Sequence, residues 1–121
     1  MTVSLADAQR ARPVIAGHIF RTPLVSSHSL GERIGAEAHL KLENLQRTGS
    51  FKVRGAVYAM SRLSAEARAA GVVTMSAGNA AQAIAYAGRA QGVRVTVVMP
   101  ETAPKTKIAA AERHKSHARV C

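Results

Sequence analysis

The sequence predicts an α/β chain: helices and one strand over residues 1–51, then a three-layer parallel βαβ unit over residues 52–121. Three observations carry this reading. From Gly71 onward, apolar β-branched runs alternate with helical patterns in the order strand, helix, strand, helix, which marks a βαβ unit with its return helix. The two runs, 72–75 and 93–99, lack polar alternation, so they read as parallel strands covered on both faces and joined by a right-handed crossover. Before residue 52 the pattern is mostly helical, and one stretch, 38–43, alternates as a strand does.

Each element has its own signals. Ser4 ahead of Leu5-Ala6-Asp7 predicts a capped helix over residues 5–19, which Pro13 is expected to kink or divide. Arg21-Thr22-Pro23-Leu24 reads as an extended link. Ser27 is the expected cap of a short helix over 28–34 that ends at Gly35. From Lys52 the pattern is helical again, with Val53, Ala56, Val57 and Met60 on one side. A further short helix, capped by Ser64, ends before Gly71. Residues 79–91 are Ala-rich and helical, and Gly92 stops them. Pro100 ends the second strand, and Pro104 opens a last helix over 105–113.

Composition narrows the function classes. The chain has 121 residues, 47% of them hydrophobic and 20% charged, as in a folded globular chain rather than a disordered one. Phe20, Phe51, Tyr58 and Tyr86 are the only aromatics, so aliphatic residues must build the core. Cys121 is the single cysteine, so no internal disulfide forms, which fits a cytoplasmic setting. Asp7, Arg10 and Arg12 interrupt any secretory apolar run, and no stretch is long enough to span a membrane. The net charge of +10 raises nucleic acid as a partner. Against it, the charge is spread along the chain and the basic tail holds no aromatic for base stacking. Lys105, Lys107, Arg113 and Lys115 read instead as a solvated helix face. His114 and His117 share one side of the tail, with Cys121 the only soft ligand near them, too few for a metal site.

Chemistry concentrates in two motifs. The first is Thr48-Gly49-Ser50-Phe51-Lys52-Val53-Arg54-Gly55-Ala56, preceded by Lys41-Leu42-Glu43-Asn44-Leu45-Gln46-Arg47. It places Lys52 just inside a helix start, where the helix dipole disfavours an ammonium. Burial beside Phe51 is expected to act the same way. A neutral amine is the form that attacks a carbonyl carbon. A lone lysine at a helix start is most often a solvated charge; the length and unusual chemistry of the run argue otherwise. The second motif, Ser76-Ala77-Gly78-Asn79-Ala80-Ala81-Gln82, joins the carboxyl end of a parallel strand to a helix start. Ligands of open α/β sheets bind at that edge, and unpaired N–H groups there attract anions. Gly78 permits close approach, and Ser76 and Asn79 add side-chain donors, a set that suits a small carboxylate. An ordinary N-capped helix, with Ser76 or Asn79 as cap, is the competing reading of this loop.

The two motifs, in this order and spacing, resemble the threonine/serine dehydratase (threonine ammonia-lyase) family, pyridoxal 5'-phosphate enzymes of fold type II. Val95-Thr96-Val97-Val98-Met99-Pro100-Glu101 and Pro104-Lys105 extend the similarity to about residues 21–111. The resemblance implies that residues 1–51 belong to a large cofactor domain and 52–121 to an incomplete small α/β domain. It implies that Lys52 holds the cofactor as a Schiff base and removes the substrate's α-proton, with Phe51 packed beside it. It implies that Ser76, Ala77, Gly78, Asn79 and Ala80 receive the carboxylate of a small amino-acid substrate, and that Asn79 also bonds the cofactor's ring hydroxyl. The implied reaction is dehydration and deamination of L-threonine or L-serine to a 2-oxo acid and ammonia, in a homo-oligomer.

Details inside the motifs refine the resemblance. Gln46 and Arg54 fit dehydratases better than the cysteine-synthase branch. Threonine synthases share the Thr-Gly-Ser-Phe-Lys run but usually continue with Asp. Ala77 stands where related serine racemases carry a serine thought to act as a second acid/base, and a methyl group moves no proton. Ala80 replaces a histidine common in dehydratases. Family members are about three times longer, and the Gly-rich phosphate loop expected of them is not in this sequence, so the chain reads as an N-terminal fragment, a frameshifted product or the product of an incomplete gene, with little activity of its own. A threonine synthase-like or serine racemase-like enzyme and a non-catalytic basic fragment are the alternatives.

Overall fold

β-branched residues at Val72–Met75 (β3) and Val95–Met99 (β4) build two parallel strands, and a third, His117–Val120 (β5), pairs with the other edge of β4. The register runs from Val72 opposite Val95 to Met75 opposite Val98, and from Thr96 opposite His117 to Met99 opposite Val120. This computed structural model describes residues 2–113 and 117–120.

Helix α5 (Asn79–Gln91) packs on the sheet, and α3 (Lys52–Ser61) packs along α5. In α3, Val53, Val57 and Met60 are buried at helical spacing, with Ala56 half-buried beside them. In α5, the buried positions are alanines and Gly88. Small residues let the helix lie close to its neighbours. A Cβ on Gly88 would stand 2.3 Å from Val95 Cγ2 and 2.8 Å from the Val93 carbonyl oxygen. Gly92 closes α5 at φ 68°, the left-handed conformation that a side chain resists. Met99, Val53, Val57 and Val97 are the largest fully buried side chains of the core beneath. Between these helices runs α4 (Ala65–Ala70), whose first turn is capped by Ser64 Oγ accepting from Ala67 N at 3.2 Å. After β4, α6 (Lys105–Glu112) leads toward β5.

The N-terminal segment attaches along α3. In α1 (Leu5–Ile15), Asp7 N donates to Ser4 Oγ at 3.3 Å and Ser4 N to Asp7 Oδ2 at 2.8 Å, a reciprocal capping box. Ile15 and Ile19 pack on the core, and Tyr86 on α5 donates to the His18 carbonyl at 2.9 Å. A separate antiparallel pair, β1 (Leu24–Ser26) and β2 (His39–Lys41), flanks α2 (His28–Ile34), which ends at Gly35 with φ 64°.

Several expectations change. Pro13 does not divide α1: the helix runs two residues past it and tightens into a 3-10 turn at Ala16–His18, because a proline this near the end removes few further helical bonds. Ser27 occupies the cap position of α2 but makes no side-chain capping bond. The strand expected over 38–43 is only His39–Lys41, and Glu43–Leu45 turn as a 3-10 helix. The extended link contains β1, whose partner is thirteen to seventeen residues away in sequence.

The sheet is not covered on both faces. On β3, Val73 is 73% and Met75 82% exposed, because β3 is the edge strand and no described residue covers that face. Residues 117–120 pair with the other hydrogen-bonding edge of β4. His114, Lys115 and Cys121 lie outside the described residues, as do the side chains of Lys107 and His117. Lys105 and Arg113 are exposed, as a solvated basic face requires.

Candidate active site

The lysine segment is built by a chain of tight turns. Gln46 N bonds the Glu43 carbonyl at 3.2 Å and Gly49 N the Gln46 carbonyl at 2.8 Å. Gly49 takes φ +67°, with nothing within 4 Å of where a Cβ would stand. Phe51 then occupies the cap position, and Lys52 is the first residue of α3, as the sequence predicts. Burial at this point differs from expectation. Phe51 is 63% exposed and Lys52 is exposed. The buried stripe of α3 begins one residue later at Val53, so the residue before it points elsewhere around the helix. Phe51 therefore does not bury the Lys52 side chain.

The second motif stands at the start of α5. Gly78 is its cap residue, and Ser76 Oγ accepts from Gly78 N at 3.2 Å. Neither Ser76 nor Asn79 caps the helix through its side chain; Gly78 holds the cap position. Ser76, Ala77, Gly78 and Ala80 are half-buried, and Asn79 is exposed. Ala81 N bonds the Gly78 carbonyl at 3.1 Å; the N–H groups just ahead of it are those a helix start leaves open.

α3 packs along α5, and an apolar cleft of about 570 Å³ opens between them. Phe51, Lys52 and Arg54 line it from one helix and Ala80, Ala83 and Ile84 from the other. The fold thus brings Phe51, Lys52 and Ala80 to one cavity. Ser76, Ala77, Gly78 and Asn79 form the turn directly before Ala80 and do not line it.

Behind the lysine segment lies a polar cluster that sequence reasoning did not assemble. Arg54 donates to Glu43 through Nε at 2.9 Å and Nη2 at 2.6 Å, and Thr22 Oγ1 donates to Glu43 Oε1 at 2.5 Å. The Arg54 guanidinium holds the Glu43 carboxyl at about 2, well below its usual 4.5; burial opposes this and the Thr22 hydroxyl adds to it. Gln46 receives Phe20 N on Oε1 at 2.8 Å and donates Nε2 to the Phe20 carbonyl at 2.9 Å. Arg47 stacks over the Phe20 ring, 4.2 Å from its centre. Arg54 follows Lys52 by two residues, so the cluster ties the start of α3 to residues 20–22. The available signal was one carboxylate and one guanidinium on either side of the Thr-Gly-Ser turn in a chain short of acids.

A family model described as pyridoxal-phosphate dependent enzyme matches residues 15–121. The chain belongs to that family. Its similarity extends to L-threonine ammonia-lyase from Thermotoga maritima, 46% identical over 88% of this chain and 26% of the relative. L-threo-3-hydroxyaspartate ammonia-lyase from Saccharomyces cerevisiae is 46% identical over 92% of this chain and 34% of the relative. Among solved structures, serine racemase from Dictyostelium discoideum superimposes with a TM-score of 0.92 at 40% identity, covering 100% of this chain and 39% of that one. The chain therefore has the fold of this family's fold type II members over part of their length, and it spans about a third of the curated relatives it matches.

The family cofactor is pyridoxal phosphate, and the residues present fit it. Lys52 offers an accessible amine on the cleft wall. Thr48 Oγ1 and Ser50 Oγ, in the turn just before it, are buried without a hydrogen-bond partner among the described residues, an unmet capacity that a polar ligand group satisfies. Among the described residues no cluster of three or more metal-ligating side chains occurs, and no helix is long and apolar enough to cross a membrane.

Proposed function

We propose that this chain carries the lysine-bearing part of an ammonia-lyase that converts L-threonine or L-serine to a 2-oxo acid and ammonia. The observation that carries the reading is the shared cleft, which sets Lys52 opposite the helix start that follows the Ser76–Asn79 turn. Lys52 Nζ would hold the cofactor through its aldehyde and would take the substrate α-proton as a base. Phe51, exposed on the cleft wall, would pack beside the bound ring. Ser76, Asn79 and the backbone around Ala77, Gly78 and Ala80 would hold the substrate carboxylate. Asn79 also bonds the ring hydroxyl. The cofactor, when bound, accepts the electron pair released at the α-carbon.

The likeness to a serine racemase favours a second reading, racemisation. Ala77 supports elimination over it, since a methyl group cannot return a proton from the opposite face. Residues 1–51 and 52–121 are proposed as parts of two domains: the antiparallel pair lies wholly in the first and the parallel sheet wholly in the second. A homo-oligomeric, cytoplasmic enzyme without nucleic-acid or membrane partners completes the proposal.

Incubating the chain with pyridoxal phosphate, reducing with borohydride and mapping the label by peptide mass spectrometry tests it. The expected label is concentrated on Lys52 and is lost in Lys52→Ala, with little 2-oxobutyrate formed from threonine by the chain alone. Label spread evenly over the lysines overturns the assignment.

A further inference from the structure

A second cleft, of about 500 Å³, lies between α1 with its 3-10 turn and the segment around Arg21 and Lys41. Arg12, Arg21, Lys41 and Arg54 line it together with Ile15, Ile19 and two alanines, and no carboxylate does. The cations differ in their engagement. Arg54 is neutralised by Glu43 behind it. The Lys41 amine donates to the Thr22 carbonyl. The side chains of Arg12 and Arg21 have no hydrogen bond or ion pair among the described residues. Asp7, the acid nearest on α1, is already held by Ser4 and Arg10. Walls of one sign beside low-dielectric surface focus the field and draw in a counter-charge.

We propose that this cleft binds a small amphiphilic carboxylate. The two free guanidiniums match a carboxylate through paired N–H donors. Ile15 and Ile19, which also pack on the core, take the aliphatic body of the ligand. A bare inorganic anion leaves that apolar wall unused, and an uncharged alcohol leaves the guanidiniums unused. Lys52, Ser76 and Asn79 do not line the cleft, so the proposal stands apart from the reading of the active site.

Calorimetric titration of the chain with hexanoate, hexanol and inorganic phosphate, without cofactor, tests it. Hexanoate is expected to bind more tightly than either of the others. The double variant Arg12→Gln/Arg21→Gln is expected to weaken hexanoate by about tenfold or more, and Ile19→Ser to weaken it while leaving phosphate unchanged. Arg33→Gln on α2, outside the cleft, is expected to bind as the parent does. All these arginines are exposed, so folding is retained. No binding of hexanoate, equal binding by the double variant, or equal binding of hexanol or phosphate overturns the proposal.

Discussion

Glu43 receives both Nε and Nη2 of Arg54, at 2.9 and 2.6 Å, across the turn that carries Thr48, Gly49 and Ser50. The pair is half-shielded, with side-chain exposures of 16% and 30%, and Thr22 completes it. It fixes the second residue after Lys52 to the 3-10 turn at Glu43–Leu45, so the direction in which α3 presents its first residue depends on this contact.

The sign of its pH dependence follows from the carboxyl lying at about 2 rather than 4.5. A carboxylate held below its unfolded value contributes its full stability above that unfolded value. The contribution is lost as pH falls from about 4.5 toward about 2. Glu43→Gln is expected to cost about 1–3 kcal/mol at neutral pH and to flatten the fall in acid. Urea midpoints of parent and variant between neutral pH and strong acid check this; parallel curves contradict it.

Gln46→Ala removes a side chain that mimics a strand partner for Phe20. A loss of about 1–2 kcal/mol is expected, with faster amide exchange at Phe20 than in the parent. Hydrogen exchange followed by NMR reads both, and unchanged protection at Phe20 would show that the clamp does not hold the segment.

Two helical glycines are expected to respond with opposite signs. Gly88→Ala drives a methyl toward Val95 Cγ2 and the Val93 carbonyl, and is expected to destabilise by about 1–3 kcal/mol. Gly55 on α3 has open space at the Cβ position, so Gly55→Ala is expected to stabilise by about 0.5–1 kcal/mol through helix propensity. Thermal unfolding of the two variants side by side decides it.

Val73 and Met75 stand exposed on the edge strand. An uncovered apolar edge invites pairing between chains. Replacing both by lysine is expected to reduce self-association in sedimentation velocity while leaving the unfolding midpoint nearly unchanged, because neither side chain contributes buried surface.

Legibility varied with how local the cause was. Ser64, Gly35, Gly92 and the Val53-Val57-Met60 stripe act within one or two turns of helix, and α3, α4 and α5 stand where the sequence puts them. β1 and β5 were hidden because each is a strand only by virtue of its partner. In the site, the position of Lys52 at the head of α3 was readable from its neighbours, and its placing beside Ala80 followed only from the family resemblance.

The sequence alone determined the parallel βαβ order, the helix boundaries set by caps and glycines, and the two motifs that mark the family, since these depend on neighbours a few residues apart. Only the tertiary structure decided that Lys52 and Phe51 are exposed, that one face of β3 is bare, and that Thr22, Glu43 and Arg54 converge. Burial and charge pairing depend on which distant segments arrive at a surface, and a linear pattern does not contain that distance.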